Sequence, residues 1–300
     1  MVIFISSVFV PSHITGFFEI VDNPDPFKKG SKGAGIVLDK GILTRANVEE
    51  GHGNIEIKIN GKSESELASI THKTVDLINQ QFKLDDKKIV ISHEFEIPIG
   101  TGFGVSAACA LGTSLAIAKS LNLPLTYNNA AAIAHLTEIE MHSGLGDVIA
   151  EVTGGLAVRL KEGAPGFGVT DKIIINPKNH DKTSDDYFII TKTLGELETS
   201  SVIEDPVWKS RINHSGHKLL HNLLKKPDIE TFFKLSRRFA EETSLMSPEL
   251  KELVEILDDE TIGASMAMLG NTAFALSKTP DTSLDGVMIS KIDDMGCRFV

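Results

Sequence analysis

Length, composition and charge already limit what this chain can be. With 300 residues, 41% hydrophobic and 24% charged, the chain is long enough for two domains with a buried core, which excludes a small disulfide-stapled scaffold and wholesale disorder. The 41 Asp and Glu residues outnumber the 30 Lys and Arg residues, and the formal charge of -11 argues against nucleic acid and anionic membranes as partners.

The cysteines and the first residues indicate the compartment. Cys109 and Cys297 are too few for a disulfide framework or a Cys-based metal site, and they favour a reducing environment. The first ten residues are apolar, but they lack the basic start and the small-residue cleavage site of a signal peptide. Because no apolar run approaches the roughly 20 residues that cross a bilayer, we expect a soluble, cytoplasmic protein.

The first half of the chain alternates between predicted strands and helices. Apolar and β-branched residues predict a buried strand within residues 1–10. Period-two alternation predicts a strand at 54–60, and an apolar stripe at helical spacing predicts a helix at about 65–82. The other predictions here are a strand at 34–38 ending in a turn at 39–41, a strand at 88–95, a helix from the following glycine-rich loop to about 121, and a helix at 126–141.

A cluster of glycine and proline at 163–168 predicts a domain boundary, which divides the chain into residues 1–165 and 166–300. The second part begins with predicted strands at 172–175 and 188–192. Three helical stretches between 206 and 257 and two short strands near the C-terminus complete it. Strands and helices are mixed in both halves, which indicates an α+β fold.

The glycine-rich loop is the first candidate functional feature. Gly100, Gly102 and Gly104 alternate just before a helix whose first turn contains Ser106. Glycine allows close approach of a bulky anion, and the free N–H groups and dipole of a helix start favour negative charge, so the loop predicts a phosphate cradle. It matches neither a Walker A loop nor a dinucleotide fingerprint. A tight strand-to-helix turn without ligand is the alternative.

Two downstream carboxylates favour phosphoryl transfer. Glu138 lies on the second Ala-rich helix, and Asp147 follows it in a glycine-flanked turn. Phosphoryl transfer needs a carboxylate for Mg²⁺ and often another to orient or deprotonate the attacking hydroxyl. Taken singly, Glu138 could be a solvated helix residue and Asp147 a helix N-cap. The order of glycine loop, Ser106, Glu138 and Asp147 is what points to a kinase.

A histidine cluster offers a separate metal hypothesis. His214, His217 and His221 are spaced three and four apart, which would align them on a helix. No carboxylate or cysteine ligand is near them in sequence, and Gly216 weakens the helix. We therefore favour a structural or surface role over a metal site.

Three segments resemble the motifs of the GHMP small-molecule kinases. Residues 98–108 (PIGTGFGVSAA) are similar to the ATP-binding motif, with Phe103 and Val105 replacing the usual Leu and first Ser. Residues 11–19 (PSHITGFFE) and 263–270 (GASMAMLG) are similar to the first and third motifs. The forms HITGFFE, GSKGAG and GASMAMLGNT resemble the archaeal pantoate kinases within this family. The resemblance spans nearly the whole chain.

The resemblance implies a fold and an activity. Residues 1–165 would form an N-terminal ATP-binding domain of the ribosomal protein S5 domain 2 type, and 166–300 a ferredoxin-like C-terminal domain. ATP would bind between them, and a small-molecule substrate, pantoate, would be phosphorylated at its 4-hydroxyl on the archaeal route to coenzyme A. A homodimer is an expectation at the level of the family.

The resemblance also assigns site residues. Ser106 and Glu138 would hold Mg²⁺, and Asp147 would orient or deprotonate the attacking hydroxyl. The residues expected to contact ATP are Pro98, Gly100, Thr101, Gly102, Phe103, Gly104, Val105, Ser106 and Ala107.

The substrate contacts are expected from the first motif and from the chemistry of pantoate. His13 stands where mevalonate kinase has a lysine, and it is either a substrate contact or a satisfied buried histidine. The carboxylate of pantoate calls for a cation, for which Lys32 and Arg159 are candidates; for each, a solvated surface position is the alternative. Glu19 is expected to accept a substrate hydroxyl or to pair with a neighbouring base.

Two rival functions stay open at this point. A kinase for another small hydroxy acid or alcohol, such as mevalonate, homoserine or shikimate, would share the same phosphate machinery. A non-catalytic nucleotide-binding regulatory protein would keep the cradle without the chemistry. Its signature would be loss of Glu138 or Asp147, and this chain retains both.

Overall fold

The computed structural model describes residues 4–51, 53–62, 68–175, 187–195 and 206–300. Within these residues the chain forms a seven-stranded and a four-stranded sheet with helices packed against them. The strands are β1 (Phe4–Val21), β2 (Gly30–Glu50), β3 (Asn54–Ile59), β4 (Lys87–Phe95), β5 (Leu156–Lys161), β6 (Val169–Ile173), β7 (Phe188–Gly195), β8 (Gly263–Met266), β9 (Asn271–Ser277), β10 (Met288–Ser290) and β11 (Arg298–Phe299). The helices are α1 (Ala68–Phe82), α2 (Val105–Ser120), α3 (Tyr127–Glu140), α4 (Asp147–Thr153), α5 (Pro206–Lys225), α6 (Ile229–Thr243) and α7 (Pro248–Glu260).

The seven-stranded sheet is built on a long antiparallel pair. Strands β1 and β2 pair from Phe4 with Val48 to Val21 with Gly30, in the sheet order β11-β1-β2-β4-β3, and β5 pairs with β2 and β6. The register shifts between Pro11 and His13. Such bulges re-aim side chains and are common next to active sites, and this one accompanies the position of His13.

The predicted turn at residues 39–41 is wrong, because β2 continues through these residues to Glu50. Leu38 bridges to Ile292, and the N–H of Asp39 donates to the carbonyl of Lys291 at 2.9 Å. A distant segment therefore satisfies the backbone where a local turn was expected, and the chain stays extended.

Other predicted elements differ mainly in their ends. The first strand extends to Val21, well beyond residue 10, because its second half pairs with the start of β2. The strand predicted at 172–175 is β6, which ends at Ile173. The start of the helix predicted at 65–82 falls partly outside the described residues, where α1 is described from Ala68. The three predicted helical stretches between 206 and 257 correspond to α5, α6 and α7.

Helix α2 packs on the seven-stranded sheet. It is buried on almost every side, against β1, β2 and α3. Its small residues allow this close packing: a Cβ atom at Gly112 would collide with the side chain of Thr44 on β2. The N-terminus of α2 is thereby fixed on the sheet, and with it the glycine-rich loop that precedes it.

The second sheet has the order β10-β7-β9-β8, with α6 and α7 against it. Strand β1 joins the two halves, because Phe17 and Phe18 pack in the interior against rings on α6, including Phe239. The domain division at 165/166 stays a prediction; β6 and β11 follow that point in sequence but lie in the seven-stranded sheet. None of the helices within the described residues is long and apolar enough to cross a membrane.

Candidate active site

The glycine-rich loop lies between β4 and α2 in a conformation that requires glycine. Gly102 (φ 92°) and Gly104 (φ 70°) adopt left-handed backbone angles. A Cβ atom at Gly102 would also lie 2.9 Å from the Cα of Gly270 in the third motif. The loop therefore packs directly on the turn after β8.

The start of α2 has the properties of an anion site. Gly104 is its N-cap and provides no side-chain acceptor, so no side-chain cap occupies the first N–H groups of the helix. Ser106 is half-buried in the first turn, while Pro98 and Gly100 are exposed. The side chains of Phe103, Val105 and Ala107 are buried in the core, so these three residues could offer a ligand mainly their backbone.

Backbone hydrogen bonds join the three motif segments. The N–H of His13 donates to the carbonyl of Phe103 at 3.1 Å, which connects the first and second segments. The N–H of Met268 donates to the carbonyl of Thr15 at 2.9 Å, which connects the third to the first. These bonds fix the segments around one site.

His13 and Asp147 form the centre of this site. Nδ1 of His13 lies 2.6 Å from Oδ1 of Asp147, which is the first residue of α4 and is about 26% exposed, whereas His13 is fully buried. Burial lowers the pKa of His13 despite the hydrogen bond and charge of Asp147. Burial would raise the pKa of Asp147, but the hydrogen bond from His13 and the charge of Arg159 hold it below its usual value. A neutral imidazole thus donates from Nδ1 to an ionised carboxylate.

Arg159 completes a chain of polar groups behind Asp147. Its Nη1 lies 3.5 Å from Nε2 of His13, the ring nitrogen that the tautomer leaves as an acceptor. Arg159 on β5 is 1% exposed, and its Nε is without a hydrogen-bond partner among the described residues. Arg159 therefore places a positive charge next to the imidazole of His13.

Glu138 lies on the other side of Asp147. Its Oε1 accepts the backbone N–H of Asp147 at 3.2 Å, and its Oε2 is buried without a hydrogen-bond partner in the described part of the chain. Burial and the charge of Asp147 raise the pKa of Glu138 to about 8. A buried carboxyl oxygen without a partner is what a bound cation would satisfy, and a cation there would favour the ionised form.

Sequence reasoning missed two residues of this site. His135 lies one turn before Glu138 on α3, with its Nδ1 3.8 Å from Oε2 of Glu138. Its Nε2 donates to the carbonyls of Pro26 and Lys29, and burial lowers its pKa to about 4. Glu151 lies one turn after Asp147 on α4 and is fully buried. Helical spacing of three and four from the two predicted carboxylates was the signal that could have found both.

Glu19 lies on β1, six residues along the strand from His13, and Lys32 lies on β2. They are paired in register, and Nζ of Lys32 lies 3.0 Å from Oε2 of Glu19. Nδ1 of His217 on α5 lies 3.3 Å from the same oxygen. Glu19 thus pairs with a neighbouring base, and the role of this pair in substrate binding stays a prediction.

The histidine metal hypothesis finds no support. His217 contacts Glu19, while His214 lines a groove of about 470 Å³ with Arg211 and Lys218. Across the described residues, no group of three or more His, Cys, Asp or Glu side chains is arranged to hold a metal ion.

Comparison with known proteins identifies the family. The model of the GHMP kinases N terminal domain matches residues 69–155, and that of the GHMP kinases C terminal domain matches residues 219–284. A pantoate kinase of Methanocaldococcus jannaschii is 39% identical over 286 residues, which cover 95% of this chain and 97% of that protein. This chain belongs to the GHMP kinase family.

One further relative and one solved structure are similar to this GHMP kinase over nearly its whole length. A pantoate kinase of Thermococcus kodakarensis is 37% identical over 289 residues, covering 95% of this chain and 92% of that protein. A solved structure described as a phosphotransferase related to the CoA biosynthesis pathway superposes with a TM-score of 0.85 at 33% identity, covering 99% and 98% of the two chains. The two-domain fold expected from the motifs is thereby confirmed.

Proposed function

We propose that this GHMP kinase transfers the γ-phosphoryl group of Mg-ATP to the 4-hydroxyl of pantoate. The observation that carries the proposal is the position of Asp147 beside the phosphate cradle. A Cβ atom at Gly104, the N-cap of α2, would lie 3.4 Å from the Cβ of Asp147. A carboxylate able to orient a hydroxyl is therefore adjacent to backbone that can hold a phosphate.

The residues present fit ATP and Mg²⁺. The uncapped start of α2 and the left-handed glycines before it suit a triphosphate, which residues Thr101 to Ala107 would surround. The orphaned Oε2 of Glu138 and the hydroxyl of Ser106 would hold Mg²⁺. When bound, Mg²⁺ neutralises phosphate charge that develops during transfer.

Asp147 would accept the hydrogen bond of the attacking hydroxyl and take its proton as the new O–P bond forms, while the bond from the γ-phosphorus to the β,γ-bridging oxygen breaks and ADP leaves. Its depressed pKa makes it a weak base, so Asp147 would act by orienting the hydroxyl as well as by removing its proton. His13 fixes the carboxylate through Nδ1, and Arg159 holds the imidazole from the other side. This arrangement supports a positioned in-line attack on a phosphate at the start of α2.

The choice of pantoate draws on two supports. The pantoate kinases of M. jannaschii and T. kodakarensis are similar to this chain over almost its entire length. In addition, Nε of the buried Arg159 has no hydrogen-bond partner among the described residues and lies next to Gly146, and a bound carboxylate would satisfy it. Mevalonate, homoserine and shikimate are the acceptors against which pantoate must be compared.

The test measures release of ADP by the purified protein with Mg-ATP and each of the four acceptors in turn. We expect turnover with pantoate to exceed turnover with each other acceptor by at least a hundredfold. Turnover with a different acceptor alone would overturn the substrate assignment and keep the kinase. A rate equal to the acceptor-free background with all four would contradict the proposal as a whole.

A further inference from the structure

Glu151 places a carboxyl group in a buried environment that is unfavourable for polar groups. It lies on α4 one turn after Asp147, and its side chain is fully buried. Neither of its two oxygens has a hydrogen-bond partner within the described residues. Burial of a polar group without a partner is unfavourable, and an apolar residue of similar length would avoid this cost. A role in the site is the simplest reason for a carboxyl here.

The carboxyl of Glu151 lies against the end of the phosphate loop. A Cβ atom at Gly104 would be 2.6 Å from Oε1 of Glu151. The same Cβ atom would be 3.4 Å from the Cβ of Asp147. The N-cap of α2 thus rests on two successive turns of α4, on Asp147 at one turn and on Glu151 at the next.

The backbone of Glu151 is fixed by the C-terminal segment. Its carbonyl accepts the N–H of Cys297 at 2.8 Å. Gly296 packs so closely beneath this turn that a Cβ atom there would lie 2.9 Å from the same carbonyl oxygen. Because the C-terminal segment holds this turn of α4 in place, the side chain of Glu151 is a rigid support for Gly104.

The electrostatic setting favours the neutral acid. Burial and the charges of Asp147 and Glu138 raise the pKa of Glu151 well above its ordinary value. A neutral carboxyl adds no negative charge that would repel a phosphate. Its oxygen dipoles still complement the partial positive charge at the start of α2.

We propose that Glu151 is a positioning residue of the phosphate-binding loop, whose buried carboxyl sets the place of Gly104 relative to Asp147. The inference rests on the proposed function in taking the phosphates of Mg-ATP as the ligand of the loop. It adds to that function a residue that contacts neither nucleotide nor acceptor and acts through Gly104.

Two substitutions separate this role from a structural one. Glu151→Gln keeps the length and the carbonyl oxygen, whereas Glu151→Met keeps the length and removes both oxygens. Binding of Mg-ATP to the free protein is measured by calorimetry without acceptor, and thermal unfolding is measured without ligand. The exposed Glu140→Met at the end of α3 serves as the matched control.

We expect Glu151→Gln to bind Mg-ATP within about threefold of the unsubstituted protein. Glu151→Met should bind at least tenfold more weakly, while the free protein unfolds at the same or a higher temperature because an unpartnered carboxyl has been removed. In turnover, its KM for ATP should rise while its KM for pantoate stays within about twofold.

Three results would overturn the inference: unchanged Mg-ATP binding by Glu151→Met, equal weakening by Glu151→Gln, or a lowered unfolding temperature for Glu151→Met. These readouts need no acceptor. An inactive but nucleotide-binding parent protein would therefore count against the proposed function and leave the role of Glu151 to be decided by the binding data.

Discussion

Nδ1 of His13 and Oδ1 of Asp147 lie 2.6 Å apart, although the two residues are separated by 134 positions in the chain. His13 lies at the bulge in β1, and Asp147 is the first residue of α4. Because Nε2 of His13 faces Arg159, the imidazole connects a buried cation to the carboxylate. This relay gives Asp147 a fixed orientation and a depressed pKa, and the predictions below depend on it.

Replacement of His13 should shift the pH dependence of the reaction. The hydrogen bond from His13 is what offsets the effect of burial on Asp147, so His13→Leu should raise the pKa of Asp147. The carboxylate is the active form, and the acidic limb of the kcat/KM profile should therefore move to higher pH. Initial rates measured between about pH 5 and 9 test this. The control is His72→Leu, at an exposed histidine, which should keep the pH profile of the parent protein. An acidic limb that does not shift in His13→Leu would count against the relay.

Arg159 should affect the acceptor more than the nucleotide. Arg159→Lys keeps the charge but loses the planar group that can contact His13 and a substrate carboxylate together. We expect KM for pantoate to rise about tenfold or more, with KM for ATP changed by less than about threefold. Steady-state kinetics with each substrate varied in turn measure both. A rise confined to KM for ATP would show that Arg159 does not serve the acceptor site.

Glu138 should determine the requirement for Mg²⁺. Glu138→Gln preserves the length of the side chain and removes the charge that a divalent cation needs. The Mg²⁺ concentration for half-maximal rate should rise at least tenfold, and kcat should fall. The control is Glu140→Gln, two residues along the same helix and exposed. An identical Mg²⁺ titration for Glu138→Gln and the parent protein would remove Glu138 from the metal site.

Protonation of His93 should lower the stability of the fold at acidic pH. His93 is not among the proposed active-site residues. It is buried between Thr44 and Thr71, and burial lowers its pKa to about 4. The unfolded chain, with a histidine pKa near 6.5, binds more protons between these values, so stability is complete above about pH 6.5 and is lost as pH falls towards 4. The loss attributable to His93 is roughly 3 kcal/mol at most.

The measurement for His93 is urea unfolding at pH 7.0 and 4.5 for the parent protein and for His93→Gln. The substitution should lower the free energy of unfolding at pH 7.0, where the hydrogen bonds to both threonines are weakened. It should also make the difference between the two pH values smaller. An equal pH difference in both proteins would show that another group, such as buried His135, dominates the acid response.

Local signals in the sequence predict the conformation of the glycine-rich loop. The spacing of Gly102 and Gly104 before an Ala-rich helix predicts an anion site, and the structure shows left-handed angles at both and an uncapped helix start. The order of Ser106, Glu138 and Asp147 likewise needs no tertiary information. The loop conformation depends on residues close together in the chain, whereas the roles of Ser106, Glu138 and Asp147 stay predictions.

Features that depend on distant segments could not be predicted in this way. The pairing of His13 with Asp147 needs the β1 bulge and the position of α4 together, and no local pattern reports that distance. Similarly, β2 continues through Asp39 only because residues near 292 bond to it. Glu151 was overlooked because a glutamate on a short helix is ordinarily exposed, and its burial follows from packing against Gly104 and the C-terminal segment.

The most direct test of the proposed reaction is a single-turnover experiment with ATP labelled at the γ-phosphate. Enzyme in excess over Mg-ATP is mixed with pantoate, and the products are separated over time for the parent protein and for Asp147→Asn. We predict that the label appears on the 4-hydroxyl of pantoate, and that Asp147→Asn slows this transfer by about 10²- to 10⁴-fold while Mg-ATP still binds. Label that remains in ATP and inorganic phosphate, or transfer to pantoate at the same rate in Asp147→Asn, would contradict the account.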